Sequence, residues 1–446
     1  MMGSFLHTLV FFVVALAILI AFHEFGHFWV ARKLGVKVIR FSIGFGRPIR
    51  RYQKDSRSTE FIIAAIPLGG YVKMVDEREG KVAPEDIPYA FNRQSLKTRS
   101  AIVLAGPLFN LFLAVFIFWG ILVSGETGFR PLLGDVEPNT IASRAGFEKG
   151  DEILEVDNEP TPTWNHAISA VFSNALDLEE IHVKVRSGDG SVTTRILRIP
   201  EQVAMNPASL QDQLGFRPRE PDARIDKIIE DSPAAQAGLE SGDLVVQADG
   251  VDVLNWVQFV EIIRGNPGKR IRTEVERDGA RRALEIIPTA IQSNNNEIGY
   301  IGASVVDNLR IEYRLEVLPA LGASILKVTE FSLLTIKMMG KMLIGKASVE
   351  NLSGPISIAK YAGESATMGL SHFLKFIAIV SISLGVLNLM PIPILDGGHL
   401  LFFIIEGFKG RPLSEHAQLI GQQVGMVLLI CLMGLAFFLD IERLIQ

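Results

Sequence analysis

The chain has 446 residues, of which 48% are hydrophobic and 21% are charged. This length is too great for one ordinary domain, and the composition predicts membrane spans that alternate with water-exposed domains. The net charge of −5 and the single cysteine, Cys431, give no support for nucleic-acid binding, a disulfide framework or a thiolate metal site.

The first predicted element is a membrane span over about residues 5–30. Residues 5–22 carry no formal charge, and about 20 apolar residues suffice to cross a bilayer. The run lacks the basic start and the small-residue cleavage site of a signal peptide, so we interpret it as a retained span.

This span contains the sequence H-E-x-x-H at residues 23–27. On a helix, His23 and His27 lie on one face and can bind one metal ion, while Glu24 beside them can act as a general base. A motif this short also arises by chance. Ionisable groups at membrane depth are costly, however, and are mostly functional, which favours a metalloprotease site within the bilayer.

Basic residues after the first span predict its orientation. Nine Lys and Arg residues between positions 32 and 57 stand against one acid, Asp55. The positive-inside rule makes this loop cytoplasmic, so the N-terminus, the 125–370 region and the C-terminus lie on the opposite side. Residues 41–75 combine glycines and prolines with β-formers, which predicts a membrane-associated β-hairpin. A hairpin on the protein surface fits this pattern equally well.

Three more apolar runs are long enough to cross a bilayer, at about 101–123, 376–395 and 417–439. The predicted fold class is therefore a multi-pass α-helical membrane protein with four transmembrane helices. Residues 311–347 alternate apolar residues with Glu and Lys, which predicts amphipathic helices at the membrane surface.

The middle of the chain contains an internal repeat at a constant offset of 92 residues. Each copy contains A-x-x-A-G-[FL]-x-x-G-D, beginning at Ala142 and at Ala234, and this resembles the signature of PDZ domains. We therefore predict two inserted α+β PDZ domains, at 126–218 and 219–308. Such domains capture an extended peptide or a C-terminal carboxylate. Alternatively, they only hold the membrane-embedded parts together.

A catalytic zinc site needs three protein ligands and an open position, so H-E-x-x-H must be completed from elsewhere. Asp396 closes the third apolar run, and two glycines follow it. Pro391 and Pro393 break the helix just before it. His399 is an alternative third ligand.

Four motifs together carry a family resemblance: H-E-F-G-H at 23–27, G-P-x-x-N at 106–110, N-L-S-G-P-I-S-I-A-K at 351–360 and L-D-G-G at 395–398. With the PDZ repeats between them, they resemble the site-2 protease family of intramembrane metalloproteases over essentially the whole chain. The resemblance implies one zinc ion per chain, bound by His23, His27 and Asp396, with Glu24 as the catalytic glutamate. It also implies substrate-binding or transition-state-stabilising roles for Asn388, Pro391, Pro393, Gly69 and Gly70.

The resemblance further implies hydrolysis of transmembrane segments of single-span proteins in the lipid bilayer of the bacterial inner membrane. The implied substrates are an anti-sigma factor of the envelope stress response and signal-peptide remnants, and the PDZ domains would gate access from the periplasm. The expected remaining divisions are 1–125, with two spans and the hairpin, 309–360, with interfacial helices, and 361–446, with the last two spans. A membrane scaffold with a structural metal is a rival interpretation. A transporter is a weaker one, because the spans are few and show no repeat.

Overall fold

The computed structural model describes residues 2–55, 57–178, 180–204, 207–293, 296–345, 348 and 352–445. Asn351, the first residue of the 351–360 motif, lies outside these ranges. The helices in chain order are α1 (Met2–Lys33), α2 (Leu96–Ser124), α3 (Ile141–Arg144), α4 (Trp164–Ala175), α5 (Glu201–Ala204), α6 (Pro207–Leu214), α7 (Pro233–Gln236), α8 (Trp256–Arg264), α9 (Val317–Leu343), α10 (Pro355–Thr367), α11 (Leu370–Leu389), α12 (Asp396–Lys409) and α13 (Glu415–Ile445). The strands are β1 (Val38–Tyr52), β2 (Glu60–Met74), β3 (Glu126–Phe129), β4 (Glu152–Val156), β5 (Glu159–Pro160), β6 (Glu180–Arg186), β7 (Val192–Arg198), β8 (Ile225–Ile228), β9 (Leu244–Ala248), β10 (Val251–Asp252), β11 (Ile271–Arg277), β12 (Ala280–Ile286), β13 (Thr289–Ser293), β14 (Asn296–Tyr300), β15 (Ala303–Val305) and β16 (Arg310–Tyr313).

The chain divides into two compact units, residues 1–126 with 314–446, and residues 127–313. In the first unit, and within the described ranges, five helices are long and apolar enough to cross a membrane: α1, α2, α9, α11 and α13. Four of them overlap the four predicted spans. The fifth, α9, is one continuous helix of 27 residues where the sequence predicts surface helices.

Helices α1 and α2 pack side by side in opposite directions. Near the end of α1, Gly26 lies so close to α2 that an added Cβ would be 2.5 Å from the carbonyl oxygen of Ala105. In the middle of α1, Ala15 and Leu19 share a buried cluster with Leu113, further along α2 than Ala105. The first turn of α1 therefore lies at the same end of the bundle as the last turn of α2.

Helices α9 and α10 both meet this same end of the bundle. The N–H of Leu315 donates to the carbonyl of Leu122 at 3.0 Å, so α9 begins beside the last turns of α2. Gly363 of α10 contacts Thr8 in the second turn of α1, and an added Cβ at Gly363 would overlap the Thr8 side chain. The chain from α9 to α10 thus starts and returns at one end of the bundle.

Asp440, near the end of α13, caps the N-terminus of α10. Its carboxylate accepts hydrogen bonds from the backbone N–H groups of Gly354, Ile356 and Ser357 at 2.8–3.1 Å, and one from the Ser357 hydroxyl. The first N–H groups of a helix have no partner within that helix, so an acceptor from another helix stabilises this end. The contact joins the two helices although they are far apart in sequence.

The predicted hairpin is present as β1 and β2, and both strands fold back on themselves. Residues 40–43 pair with residues 60–63 on one side and with residues 70–73 on the other. The bend in β1 occurs at Gly44 (φ 91°) and Gly46 (φ 85°), which adopt the left-handed region that favours glycine. This arrangement makes residues 70–74 an outer segment of the folded sheet, which we call the edge segment.

The second unit contains the two sequence repeats. Each repeat forms a four-stranded antiparallel sheet of the same topology, β5-β4-β6-β7 in the first and β10-β9-β11-β12 in the second. The offset of 92 residues relates α3 to α7, β4 to β9 and the start of α4 to the start of α8. After the fourth strand the repeats differ, because the first continues into α5 and α6 and the second into the β13–β14 pair.

The aspartate of each Gly-Asp pair stabilises its repeat from within. Asp243 is 0% exposed and binds Arg277 through two hydrogen bonds of 2.6 and 2.7 Å. It also accepts the N–H of Glu240 at 2.9 Å. Burial raises the pKa of Asp243, but the hydrogen bonds from Arg277 and Glu240 outweigh burial and hold the pKa below its ordinary value.

Replacing Asp243 with asparagine is expected to destabilise the second repeat by about 3 kcal/mol at pH 7, because Arg277 loses its charged partner. A lowered folded-state pKa adds stability above the unfolded-state pKa, near 3.9, and loses it as the pH falls through the lower folded value. The difference between the variant and the wild type should therefore shrink below about pH 4. Amide hydrogen exchange in β9 and β11 measures it.

Glu285→Gln provides a matched control in the same sheet. Glu285 pairs with Arg270, and both side chains are largely exposed, so this change is expected to cost little. Equal effects of the two substitutions would contradict the role assigned to Asp243.

Candidate functional site

Three ligating atoms converge where α1 meets the start of α12. Nε2 of His23 lies 3.2 Å from Nε2 of His27 and 3.2 Å from Oδ2 of Asp396, and Nε2 of His27 lies 3.5 Å from the same oxygen. A tetrahedral zinc site with bonds of about 2.0 Å separates its ligands by roughly 3.3 Å. Two imidazoles and one carboxylate at these distances therefore fit a catalytic zinc with an open fourth position.

The turn before α12 positions Asp396. The third predicted span runs to residue 395, but α11 ends at Leu389, because the Pro391 and Pro393 region does not continue the helix. Asp396 then opens α12 as its first residue. Gly397 and Gly398 pack so tightly that added Cβ atoms would overlap the backbone at 389–393. The two glycines thus let α12 start directly against the end of α11, which brings Asp396 to the histidines.

Helix α2 contacts the far side of both histidine rings. Nδ1 of His27 lies 2.9 Å from the carbonyl oxygen of Ile102, so it donates a hydrogen there and leaves Nε2 free to bind a metal. Nδ1 of His23 lies 3.3 Å from the side-chain amide of Asn110. Both rings are therefore held from α2 while their Nε2 atoms face Asp396.

Gly106 of α2 leaves the space that these rings occupy. A Cβ at this position would overlap the His27 ring and would lie 2.9 Å from Cε1 of His23. Gly106→Ala is therefore expected to displace the rings and to weaken zinc binding by roughly 10- to 100-fold, the cost of a disturbed ligand orientation. Chelator competition on the purified full-length chain measures this change.

Gly120→Ala is the control on the same helix, because a Cβ at Gly120 meets no atom within 4 Å. This variant should bind zinc as the wild type does. If Gly106→Ala also bound zinc normally, the close packing of α2 on the rings would not matter for the site.

A cavity of about 1030 Å³ opens beside the ligand cluster. Glu24 lines it together with both histidines and Asp396, and so do Gly70 and other residues of the edge segment. An added Cβ at Gly70 would lie 2.8 Å from Cγ of Glu24, so the edge segment runs directly past this carboxylate. The wall is partly polar and includes Asp76, Arg78, Glu79, Arg99, Glu406, Gln418 and Gln422.

Two ion-paired residues in that wall connect α2 to α12. Arg99 and Glu406 form a bidentate pair, and both side chains are largely buried. The guanidinium of Arg99 also lies over the ring of Phe403. Arg99 and Glu406 therefore fix the far end of the helix that begins with Asp396.

The structure brings His23, Glu24, His27, Asp396 and Gly70 together around one cavity. His399 also lines the cavity but is not one of the three residues of the ligand cluster. Within the described ranges, this cluster is the only group of three His, Cys, Asp or Glu side chains close enough together to hold a metal ion. Among the described residues, the cavity lining does not include four of the predicted substrate-contacting positions, Asn388, Pro391, Pro393 and Gly69. Asn388 lies in the last turn of α11, and the two prolines precede Asp396.

Sequence reasoning missed the contacts from α2. G-P-x-x-N was visible as a motif, but its spacing gives no indication of which partner it meets. Ile102 acts through a backbone carbonyl, which leaves no signal in residue type. The one usable sign was Gly106, a glycine inside a predicted apolar span, where glycine often marks close packing.

Comparison with known protein sequences gives matches over nearly the full length of the chain. The profile of peptidase family M50 matches residues 11–432. An Escherichia coli protein named "Regulator of sigma-E protease RseP" is 42% identical over 458 residues, covering 99% of this chain and 100% of that protein. A Neisseria meningitidis protein whose name includes the words "zinc metalloprotease" is 42% identical over 452 residues, with the same coverage of both chains. Among solved structures, a PDZ domain of an SdrC-like protein from Listeria monocytogenes aligns at 23% identity with a TM-score of 0.18, covering 21% of this chain and 96% of that one.

Proposed function

The chain belongs to peptidase family M50 and is a metalloprotease, and from this premise we propose that it is an endopeptidase with one zinc ion per chain. It hydrolyses peptide bonds within transmembrane segments of single-span proteins. The observation that carries this proposal is the cluster of His23, His27 and Asp396, whose ligating atoms lie 3.2–3.5 Å apart beside Glu24.

In this proposal each residue of the site has a defined task. His23, His27 and Asp396 would hold the zinc ion, which would supply Lewis-acid activation of water and of the scissile carbonyl. The carboxylate of Glu24 accepts a proton from the water that attacks the carbonyl carbon. It then returns this proton to the amine that leaves as the C–N bond breaks. Asn388 is the proposed donor to the oxyanion that develops on the carbonyl oxygen.

The edge segment is the proposed binding surface for the substrate backbone. A helical substrate hides its peptide bonds and must unwind before hydrolysis, and its freed N–H and C=O groups then need partners in a low-dielectric site. Pairing with residues 70–74 supplies those partners by strand addition. The close approach of Gly70 to Glu24 supports this role, because the paired chain would run past the general base. Gly69, Pro391 and Pro393 are proposed to shape the same passage.

The proposed natural substrates are an anti-sigma factor that has already lost its periplasmic domain, and signal-peptide remnants. The name of the E. coli relative, a regulator of sigma-E protease, supports the first of these. The two repeats are proposed to be PDZ domains that exclude substrates with bulky periplasmic domains and that bind extended peptides or C-termini.

The proposed location is the bacterial inner membrane, with four spans and with both termini and the repeats in the periplasm. Helix α9 is about 40 Å long and starts at the end of the bundle where α10 also lies. If α9 crossed the bilayer, the short connection from Leu343 to Pro355 would have to return across about 30 Å of hydrocarbon to reach α10, and non-helical backbone at that depth is costly. This cost supports four crossings, with α9 beginning and ending on the periplasmic side.

Thiol labelling tests this topology. In a Cys431→Ser background, Ser348→Cys is expected to react with a membrane-impermeant reagent added to spheroplasts. Asp55→Cys, in the basic loop, is the control and should react only after the membrane is opened. Labelling of Ser348→Cys only from the cytoplasmic side would make α9 a fifth span and would place the termini on opposite sides.

Cleavage of a defined substrate in liposomes tests the function itself. The substrate is a single-span anti-sigma protein, supplied both with and without its folded periplasmic domain. We expect cleavage of the trimmed form, loss of cleavage on chelation, and recovery when zinc is restored. Failure to cleave any trimmed single-span protein while zinc is bound would favour a scaffold with a structural metal. Equal cleavage of both forms would remove the proposed filtering role of the repeats.

A further inference from the structure

Two residues of α2, Gly106 and Asn110, lie against the ligand histidines from one side of the helix, and Pro107 follows Gly106 in the chain. They form the G-P-x-x-N motif, and the proposed reaction uses none of them. Gly106 leaves room for the rings. Pro107 lies inside α2. Asn110 is the one member of the motif with polar side-chain atoms.

The amide of Asn110 is buried and half satisfied. The residue is 1% exposed, and its Nδ2 lies 3.3 Å from Nδ1 of His23. Its Oδ1 has no hydrogen-bond partner among the described residues, although buried polar atoms are rarely left without one. Its backbone carbonyl is occupied separately, by the hydroxyl of Ser381 at 2.8 Å.

A metal-binding histidine can donate the hydrogen bond that Oδ1 of Asn110 lacks. A ring that binds metal through Nε2 carries its hydrogen on Nδ1, and that hydrogen needs an acceptor. The oxygen and nitrogen of an amide side chain exchange places when the group rotates by half a turn, and their assignment follows from the hydrogen-bond network. With Oδ1 turned toward His23, the amide becomes the acceptor that Nδ1–H requires.

We infer that Asn110 is a positioning residue for the metal site: its side-chain oxygen accepts the Nδ1–H of His23 and holds the ring with Nε2 toward Asp396. The inference deepens the proposed function and rests on its assignment of His23 as a zinc ligand. The carbonyl of Ile102 performs the same task for His27 at 2.9 Å. Helix α2 therefore orients both rings, one through its backbone and the other through Asn110.

Substitutions at position 110 test the inference through zinc affinity. Asn110→Leu keeps the approximate size but removes the acceptor, and should weaken zinc binding by roughly 10- to 100-fold, as for other outer-shell partners. Asn110→Ala should show the same loss and replaces the leucine variant if that protein does not fold. Asn110→Asp keeps an acceptor oxygen and should restore near wild-type affinity. Chelator competition on the detergent-purified full-length chain gives each dissociation constant.

A matched control and a second readout separate positioning from packing. Ser381→Ala removes the hydroxyl that binds the Asn110 backbone, and it should leave zinc affinity unchanged. The thermal midpoint of the metal-free protein should be nearly equal for the wild type and Asn110→Leu, because the amide makes its proposed contribution only to the oriented ring.

Different results would contradict the role of Asn110 and the assignment of the zinc ligands. Equal zinc affinity in Asn110→Leu and the wild type would overturn the positioning role, and so would an Asn110→Asp variant as weak as Asn110→Leu. If His23→Ala bound zinc as tightly as the wild type, the assignment of the zinc ligands would itself be wrong. Loss of zinc in His23→Ala with normal binding in Asn110→Leu would leave the ligand assignment intact and reject only the inference.

Discussion

Replacing Glu24 with glutamine is expected to slow peptide-bond hydrolysis by roughly 10²- to 10⁴-fold, the range that a positioned general base contributes. Glutamine keeps nearly the same shape, but its amide does not take a proton from water at neutral pH. The ligands His23, His27 and Asp396 are unchanged, so zinc content should equal that of the wild type. Initial cleavage rates in liposomes and metal analysis of the same preparation measure both quantities.

Glu79→Gln is the matched control for this change. Glu79 lines the same cavity but lies outside the ligand cluster, so its loss should leave the rate largely unchanged. Wild-type rates for Glu24→Gln would reject the general-base role. A variant that lost zinc together with activity would instead show that Glu24 supports the metal.

Replacing Asp396 with asparagine is expected to weaken zinc binding by at least about 100-fold, the upper end of what loss of an outer-shell partner costs. The substitution removes a negative charge and exchanges a strong oxygen ligand for a weak one. Asp396 supplies the single carboxylate of the cluster, and its Oδ2 lies 3.2 and 3.5 Å from the two Nε2 atoms. Chelator competition measures the change, and hydrolysis should fall with zinc occupancy.

His399→Asn is the control that separates the two rival ligands. His399 lines the cavity three residues further along α12, and zinc affinity should be unchanged when it is replaced. If His399→Asn lost zinc while Asp396→Asn retained it, the third ligand would be the histidine.

The sequence predicted those features of the molecule that patterns within the chain encode. Uncharged apolar runs indicated α1, α2, α11 and α13, and a constant offset indicated a repeat that the structure shows as two four-stranded sheets of the same topology. H-E-x-x-H predicted two histidines on one face of α1, because four residues are about one helical turn, and their Nε2 atoms lie 3.2 Å apart. The break near Pro391 was visible, although the predicted span continued to residue 395.

Other features depend on how helices cross, which local patterns do not encode. The sequence interpretation of residues 311–347 gave weight to the charges of Lys327, Glu330, Lys337 and Lys341, whereas α9 is continuous and packs Val328 against the apolar faces of α2 and α11. Ile102 and Asn110 meet the histidines only because Gly26 and Gly106 let α1 and α2 approach closely. The cap from Asp440 to α10 is set by the packing of α13, and the sequence gives no indication of it.

The distance in sequence between H-E-x-x-H and Asp396 has a consequence for synthesis. His23 and His27 enter the membrane with the first span, but Asp396 emerges from the ribosome only after the second unit and α11. Until α12 docks against the end of α11, the two histidines have no carboxylate partner in the ligand cluster. A half-made chain therefore carries an incomplete site. On the proposed function, hydrolytic activity therefore begins only once α12 has folded against the end of α11, when most of the chain has already been made.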